Sequence, residues 1–265
     1  MITINVAGAK VAYRVDGRGP GLVLVHGAGG DAESNWAPVV DKFAKYWTVV
    51  RPDYSGSGQT IDAGQNLSLE ILAEQVVGAA KAAGAVPFDL VGFSLGGSLA
   101  TYIAAEYPDI VRSLVILAGL PAVIDGRTQL QFSLWRSLQP EAMVRLIMLT
   151  GFSPEFIYQL TPQQVEENLA GMLSSMNWDG FSRQVELASS IDVIGLARMI
   201  KNPTLVVGFT HDNMIPPVLV KRLASSIPNS RYEEVDAGHM GVLEKPNEIF
   251  EIVKNFLRKR TKDGD

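Results

Sequence analysis

Residues 88–97 read Phe-Asp-Leu-Val-Gly-Phe-Ser-Leu-Gly-Gly, an apolar run that breaks into glycine, serine and glycine with no intervening loop. A strand can pass into a helix over so short a junction only by a sharp turn, and glycine at 92 and 96 removes the Cβ atoms that would crowd it. Ser94 between them then stands at a helix N-terminus, where the helix dipole favours developing negative charge. With 25 Gly and 18 Ser in 265 residues, roughly 0.15 chance matches to G-x-S-x-G are expected, so position carries more weight than pattern. The Gly-Phe-Ser triplets at 151–153 and 180–182 lack the second glycine.

Around this junction the chain alternates between strand-like and helix-like stretches. Ile2 to Val6 and Val11 to Val15, separated by a short Gly-containing turn, predict an antiparallel hairpin at one sheet edge. Continuous apolar runs at Leu22 to Val25, Trp47 to Val50, Phe88 to Val91, Leu114 to Leu117 and Leu205 to Val207 suit strands buried on both faces. Helical spacing at 36–44, 68–84 and 95–107 places a helix between successive strands, which gives an α/β fold with a mostly parallel sheet.

The alternation stops between Pro121 and Lys201. Those eighty residues hold Trp135, Trp178 and five of the eight Met with helical spacing and no strand signal, so 121–200 is expected to be a helical cap inserted in a core made of 1–120 and 201–265. The core resumes with a strand at 203–209, a helix at 216–226, a strand at 231–235 and a closing helix at 247–259. The charged tail 259–265 is expected to be solvated.

Composition narrows the chemistry. Without cysteine there are no disulfides, thiolate nucleophiles or Cys-ligated metals, and three His at 26, 211 and 239 do not make a metal cluster, so no metal site is expected. A net charge of −5 with thinly spread Lys and Arg disfavours nucleic acid. No run reaches the roughly 18 apolar residues of a membrane helix. The first residues show no basic stretch followed by an apolar one, so a cytoplasmic location and no membrane partner are expected.

A serine hydroxyl becomes a nucleophile when a base takes its proton and an acid orients that base. Asp236-Ala-Gly-His239-Met-Gly sets a His on a Gly-flanked loop after the last strand, and Gly208-Phe-Thr-His-Asp212-Asn sets a carboxylate after the preceding one. An oxyanion needs N–H donors, which His26-Gly-Ala28-Gly-Gly30 and the residue after the serine can supply; the amides of Ala28 and Leu95 are the expected pair.

These motifs resemble the α/β-hydrolase superfamily, in its capped esterase, thioesterase and C–C hydrolase branch. His26-Gly-Ala-Gly-Gly is similar to the oxyanion loop, Arg51-Pro-Asp-Tyr-Ser-Gly-Ser-Gly-Gln-Thr60 to the D-x-x-G-x-G turn, Gly92 to Gly96 to the nucleophile elbow, and Asp212 and His239 to acid and base in the order Ser, Asp, His. Thr60 departs from the Ser often found there. The resemblance implies a sheet of about eight strands with helices on both faces, and a cofactor-free serine hydrolase acting on an ester or thioester of a small, largely apolar molecule. A C–C hydrolase, lyase or perhydrolase using the same triad is the alternative, and a low-turnover small-molecule receptor a further one.

Plainer roles are expected for several neighbours. Asp125 is the other carboxylate placed to act as acid, after the strand before the cap, with Asp212 preferred. His211 is expected to be a partly exposed loop residue, His26 to hold its loop by hydrogen bonds, and Asp53 to fix its turn. Most cap aromatics and Met should pack against one another, while a minority, with Trp135 and Trp178 as candidates, should line an apolar substrate pocket above Ser94.

Overall fold

The computed structural model describes residues 1–259. Its strands are β1 (Ile2–Val6), β2 (Ala9–Asp16), β3 (Gly21–Val25), β4 (Thr48–Asp53), β5 (Phe88–Phe93), β6 (Val111–Leu117), β7 (Thr204–Phe209) and β8 (Ser230–Val235). They form one sheet in the order β1-β2-β4-β3-β5-β6-β7-β8. β1, β2 and β4 are joined antiparallel, and every pairing from β4 to β8 is parallel. This is the eight-stranded, mostly parallel sheet expected from the sequence. The expected solvated tail lies, from residue 260 onward, outside the described residues.

The helices of the sheet layers are α1 (Ala37–Phe43), α2 (Leu69–Ala82) and α3 (Leu95–Glu106), and, after the insertion, α10 (Pro217–Ser226), a short α11 (Gly241–Glu244) and α12 (Pro246–Lys259). Successive residues of a strand point to opposite faces, and here both faces are covered. Val23 and Val25 join a cluster with Leu72, Leu99 and Leu223, whereas Leu22 and Leu24 join another with Val39, Phe43 and Val253. That double burial is why the strands read as continuous apolar runs.

Between β6 and β7 lie α4 (Gly126–Ser137), α5 (Pro140–Gly151), α6 (Pro154–Tyr158), α7 (Pro162–Ser175), α8 (Trp178–Ala188) and α9 (Ile194–Ala197). The ends of this segment are stitched together: Val123 N–H donates to the Ile191 carbonyl at 2.9 Å and Val193 N–H to that of Pro121 at 2.9 Å. Val144, Met148, Phe152 and Leu169 form a small core of its own. Among the described residues no helix is long and apolar enough to cross a membrane.

Candidate active site

β3 and β5 are adjacent and parallel, with Val25 opposite Gly92, so the loops that leave their C-terminal ends lie side by side. The strand order reverses at this point, where open α/β sheets place their ligands. Ser94 leaves β5 with φ 56° and ψ −120°, a conformation side chains rarely adopt. A Cβ on Gly92 would stand 2.2 Å from the Gly96 carbonyl oxygen, and one on Gly96 would stand 2.3 Å from the carbonyl oxygens of both Val25 and His26. Glycine at both positions therefore lets α3 start against β3, and the strained serine is held between them.

Two loops at the far side of the sheet bring the other groups. His239 Nε2 lies 2.9 Å from Ser94 Oγ, and His239 Nδ1 lies 2.7 Å from Asp212 Oδ2. Asp212 Oδ1 accepts from the amides of Met214 and Ile215 at 2.8 and 2.7 Å, so the buried carboxylate has partners at both oxygens and cannot swing away without losing them. A carboxylate only accepts, so Nδ1 carries the proton and Nε2 is left to accept from the serine hydroxyl. The two loops are tied together as well: Thr210 N–H donates to the Val235 carbonyl and His211 N–H to that of Ala237.

The loop after β3 is held by many bonds. Gly27 N–H donates to Asn35 Oδ1 at 2.9 Å, Gly29 N–H to Gln184 Oε1 at 2.8 Å, and Gly30 N–H to the Gly27 carbonyl. The same carbonyl accepts from His26 Nδ1 at 2.8 Å, and Tyr54 Oη is shared between the His26 and Gly27 carbonyls at 3.0 and 3.2 Å. Among the described residues no acceptor faces the amides of Ala28 and Leu95.

His26 is buried, stacks on Tyr54 with ring centres 4.0 Å apart, and has its proton affinity pushed down by burial. Burial likewise raises the pKa of Tyr54, which stays a neutral donor. Asp53 fixes more than its own turn: Oδ1 accepts from Ala32 N–H at 2.7 Å and Oδ2 from Gln59 N–H at 3.0 Å. Thr60, the departure from the family pattern, donates to the Asp53 carbonyl and accepts from Ala12 N–H. Asp125 is not drawn into the site; it caps α4 through Thr128 N–H at 2.9 Å, and that bond holds its pKa below the usual carboxylate range. His211 is half exposed and pairs with Asp236 at 2.8 Å.

Trp135 and Trp178 line one cavity of about 170 Å³, together with Leu138, Met143, Phe181 and Val185, but Ser94, His239, Ala28 and Leu95 are not among its lining residues, so the structure does not place it above the serine. A second, of about 130 Å³, lies against Ala28 and Gly29 and is walled by Ile147, Phe152, Met172, Met176 and Met240. Phe132 and Met148 are packed into the interior. No sequence motif marks Gln184, although a polar residue at the helical spacing of Phe181, Val185 and Ala188 on a buried face is a readable anomaly. Tyr54 and Asn35 carry no such signal, because their partners are backbone groups of the loop after β3.

Sheet order, the serine-bearing junction and the flanking loops define the class. The chain belongs to the alpha/beta hydrolase fold family, whose profile matches residues 20–246, and it is a hydrolase. It is similar to pyrrolizixenacetamide deacetylase of Xenorhabdus hominickii, with 47% identity over 260 residues that cover 97% of this chain and 98% of the relative. A putative carbamate hydrolase of Azorhizobium caulinodans shares 28% identity over 254 residues, 94% of this chain and 95% of the relative. The enol-lactonase of Burkholderia xenovorans shares the fold, at a TM-score of 0.86 and 24% identity over 97% of this chain and all of that one.

Proposed function

We propose that Ser94, His239 and Asp212 form a catalytic triad that removes a short acyl group from a small, largely apolar molecule, without a cofactor. The observation that carries this reading is the unbroken chain from Ser94 Oγ through His239 to a fully bonded Asp212, beside two unpaired amides. His239 Nε2 takes the serine proton as Oγ attacks the acyl carbon, and the amides of Ala28 and Leu95 receive the oxyanion. The imidazolium, stabilised by Asp212, then protonates the leaving oxygen or nitrogen. Water activated by the same His239 releases the acid and restores Ser94.

Esters and thioesters are the bonds this chemistry cleaves most readily, and the name of the 47%-identical relative adds acetamides. We therefore place N-acetyl amides of apolar amines and acetate esters first among substrates. An amide nitrogen must be protonated to leave, which His239 Nε2 can do from the position it holds beside Oγ.

The test is a fluorophosphonate probe followed by mass spectrometry, then turnover of a panel of acetate esters, longer acyl esters, acetyl thioesters, N-acetyl amides and vinylogous diketones. Labelling at Ser94 with turnover of the acetyl compounds is expected. Turnover of the diketones alone would move the reaction to C–C cleavage, and labelling without any turnover would favour a receptor.

A further inference from the structure

Four consecutive amides, Gly27 to Gly30, form the loop after β3, and three of them are committed to fixed acceptors: Gly27 to Asn35 Oδ1, Gly29 to Gln184 Oε1, and Gly30 to the Gly27 carbonyl. Ala28 N–H is left over. A trans peptide is planar with its C=O and N–H pointing in opposite directions, so whatever fixes the Gly27 carbonyl sets the direction of the Ala28 N–H, while whatever fixes the Ala28–Gly29 peptide anchors the Cα of Ala28 from its other side.

On the first side the Gly27 carbonyl accepts from His26 Nδ1 and Gly30 N–H, and Tyr54 Oη is shared between it at 3.2 Å and the His26 carbonyl at 3.0 Å; none of these donors comes from the insertion. On the other side the peptide ending in Gly29 N–H is held by the insertion, through one side chain of α8. Gln184 is wholly buried, and its amide also donates to Ser57 Oγ at 2.7 Å and to the Ser55 carbonyl at 3.4 Å. Its orientation is forced: Gly29 N–H can only donate and the Ser55 carbonyl can only accept, so Oε1 must face Gly29. Gly29 itself has φ +71°, a region where little but local hydrogen bonding holds a glycine.

We propose that Gln184 is a positioning residue of the oxyanion site, through which α8 holds the Ala28 amide on target; this rests on the triad reading above. It touches no reacting atom. Without its Oε1, the Ala28–Gly29 peptide can rotate about the Cα of Ala28, which frees that Cα on one side and loosens the Gly27–Ala28 peptide that carries the donor. A donor displaced by about 1 Å loses much of the 10² to 10³ that such a donor supplies, so the loss should fall on kcat and not on ground-state binding.

The experiment compares Gln184→Met, which keeps the volume and removes the acceptor, with Ser57→Ala, which removes a different bond of the same side chain. For 4-nitrophenyl acetate, Gln184→Met should lower kcat by roughly ten- to a hundredfold with KM within about threefold, and should weaken an alkyl boronic acid, which forms a tetrahedral adduct on Ser94, by the same factor as kcat/KM. Ser57→Ala should move each of these by less than about threefold. Equal behaviour of the two variants, with lowered melting temperatures and unchanged kcat and boronate affinity, would overturn the proposal and leave Gln184 as a structural tie.

Amide hydrogen exchange in the parent enzyme does not depend on either variant folding. Gly29 should be protected and Ala28 should exchange quickly; Gly29 exchanging as fast as Ala28 also overturns the proposal. Failure of the triad reading looks different, since the parent would then not be labelled at Ser94 by the fluorophosphonate.

Discussion

Ser94 Oγ and His239 Nε2 are 2.9 Å apart although 145 residues separate them in the chain. The distance is that of a hydrogen bond able to carry a proton, and it is set by strands at β5 and β8 that do not touch each other. Replacing the hydroxyl tests its use directly. Ser94→Ala should lower kcat for an activated acetate by about 10⁴ or more while leaving the thermal transition near that of the parent, because the side chain supplies a covalent step and little packing. Near-parental turnover in the purified variant would remove Ser94 from the mechanism.

Asp212→Asn should cost about 10⁴ in kcat, because an amide cannot stabilise the imidazolium and can turn its own N–H toward His239, favouring the wrong tautomer. Asp125→Asn should leave kcat nearly unchanged, since that carboxylate is occupied with Thr128 at the start of α4. Kinetics of the two variants on one ester decide between them, and an exchange of effects would relocate the acid.

We propose that the cavity of Trp135 and Trp178, although lined by neither Ser94 nor His239, takes part of a bulky substrate. Trp135→Ala or Trp178→Ala should shift the ratio of kcat/KM between bulky and acetyl esters by roughly tenfold, in line with about 1–3 kcal/mol per methylene-scale change at a pocket wall. Small acetates should notice least. If the two rings only pack, stability falls and the ratio stays at the parental value in every variant that melts cooperatively.

Buried His26 makes stability depend on acidity. Its folded-state pKa lies below the ordinary 6.5 because burial disfavours the charged ring, so the unfolded chain binds the proton more readily. Stability from this residue is fully present above pH 6.5 and is lost as pH falls toward the folded-state value. Protonation would add an N–H at Nε2, a buried atom without a partner, while Asp53 and Asp31 offset part of the charge. Urea unfolding at pH 8 and pH 5.5 should show a larger drop for the parent than for His26→Asn; equal drops would place the acid sensitivity elsewhere.

Gly180, at the start of α8, touches the backbone of the turn after β4. A Cβ there would stand 1.9 Å from the Gly56 carbonyl oxygen, so Gly180→Ala must push the helix away. A stability loss of about 1–3 kcal/mol is expected from such overpacking. Because α8 also carries Gln184, kcat should fall with it, and chemical denaturation alongside ester kinetics on the same preparation measures both.

The sequence by itself determined the sheet and its serine junction. Runs such as Leu22 to Val25 and Leu205 to Val207 are apolar on every residue because both faces of their strands are covered, and glycine at 92 and 96 is demanded by backbone contacts within a few residues and one neighbouring strand. Those are local or periodic constraints, and they leave a mark in the order of residues. Asp212 and His239 were legible as loop residues after particular strands, and their meeting with Ser94 follows from strand order.

What only the tertiary structure decided lies in the contacts between the insertion and the loops beneath it. Phe152, Met172 and Met176 on one cavity, and Trp135 with Trp178 on another, were interchangeable apolar residues of helices until those helices were packed. The bond between Gln184 and Gly29 joins positions 155 residues apart and requires only an acceptor at one end and a backbone amide at the other. A backbone amide is present at nearly every residue, so no sequence pattern identifies which one a distant side chain will hold; folding selects it by bringing α8 over the loop after β3.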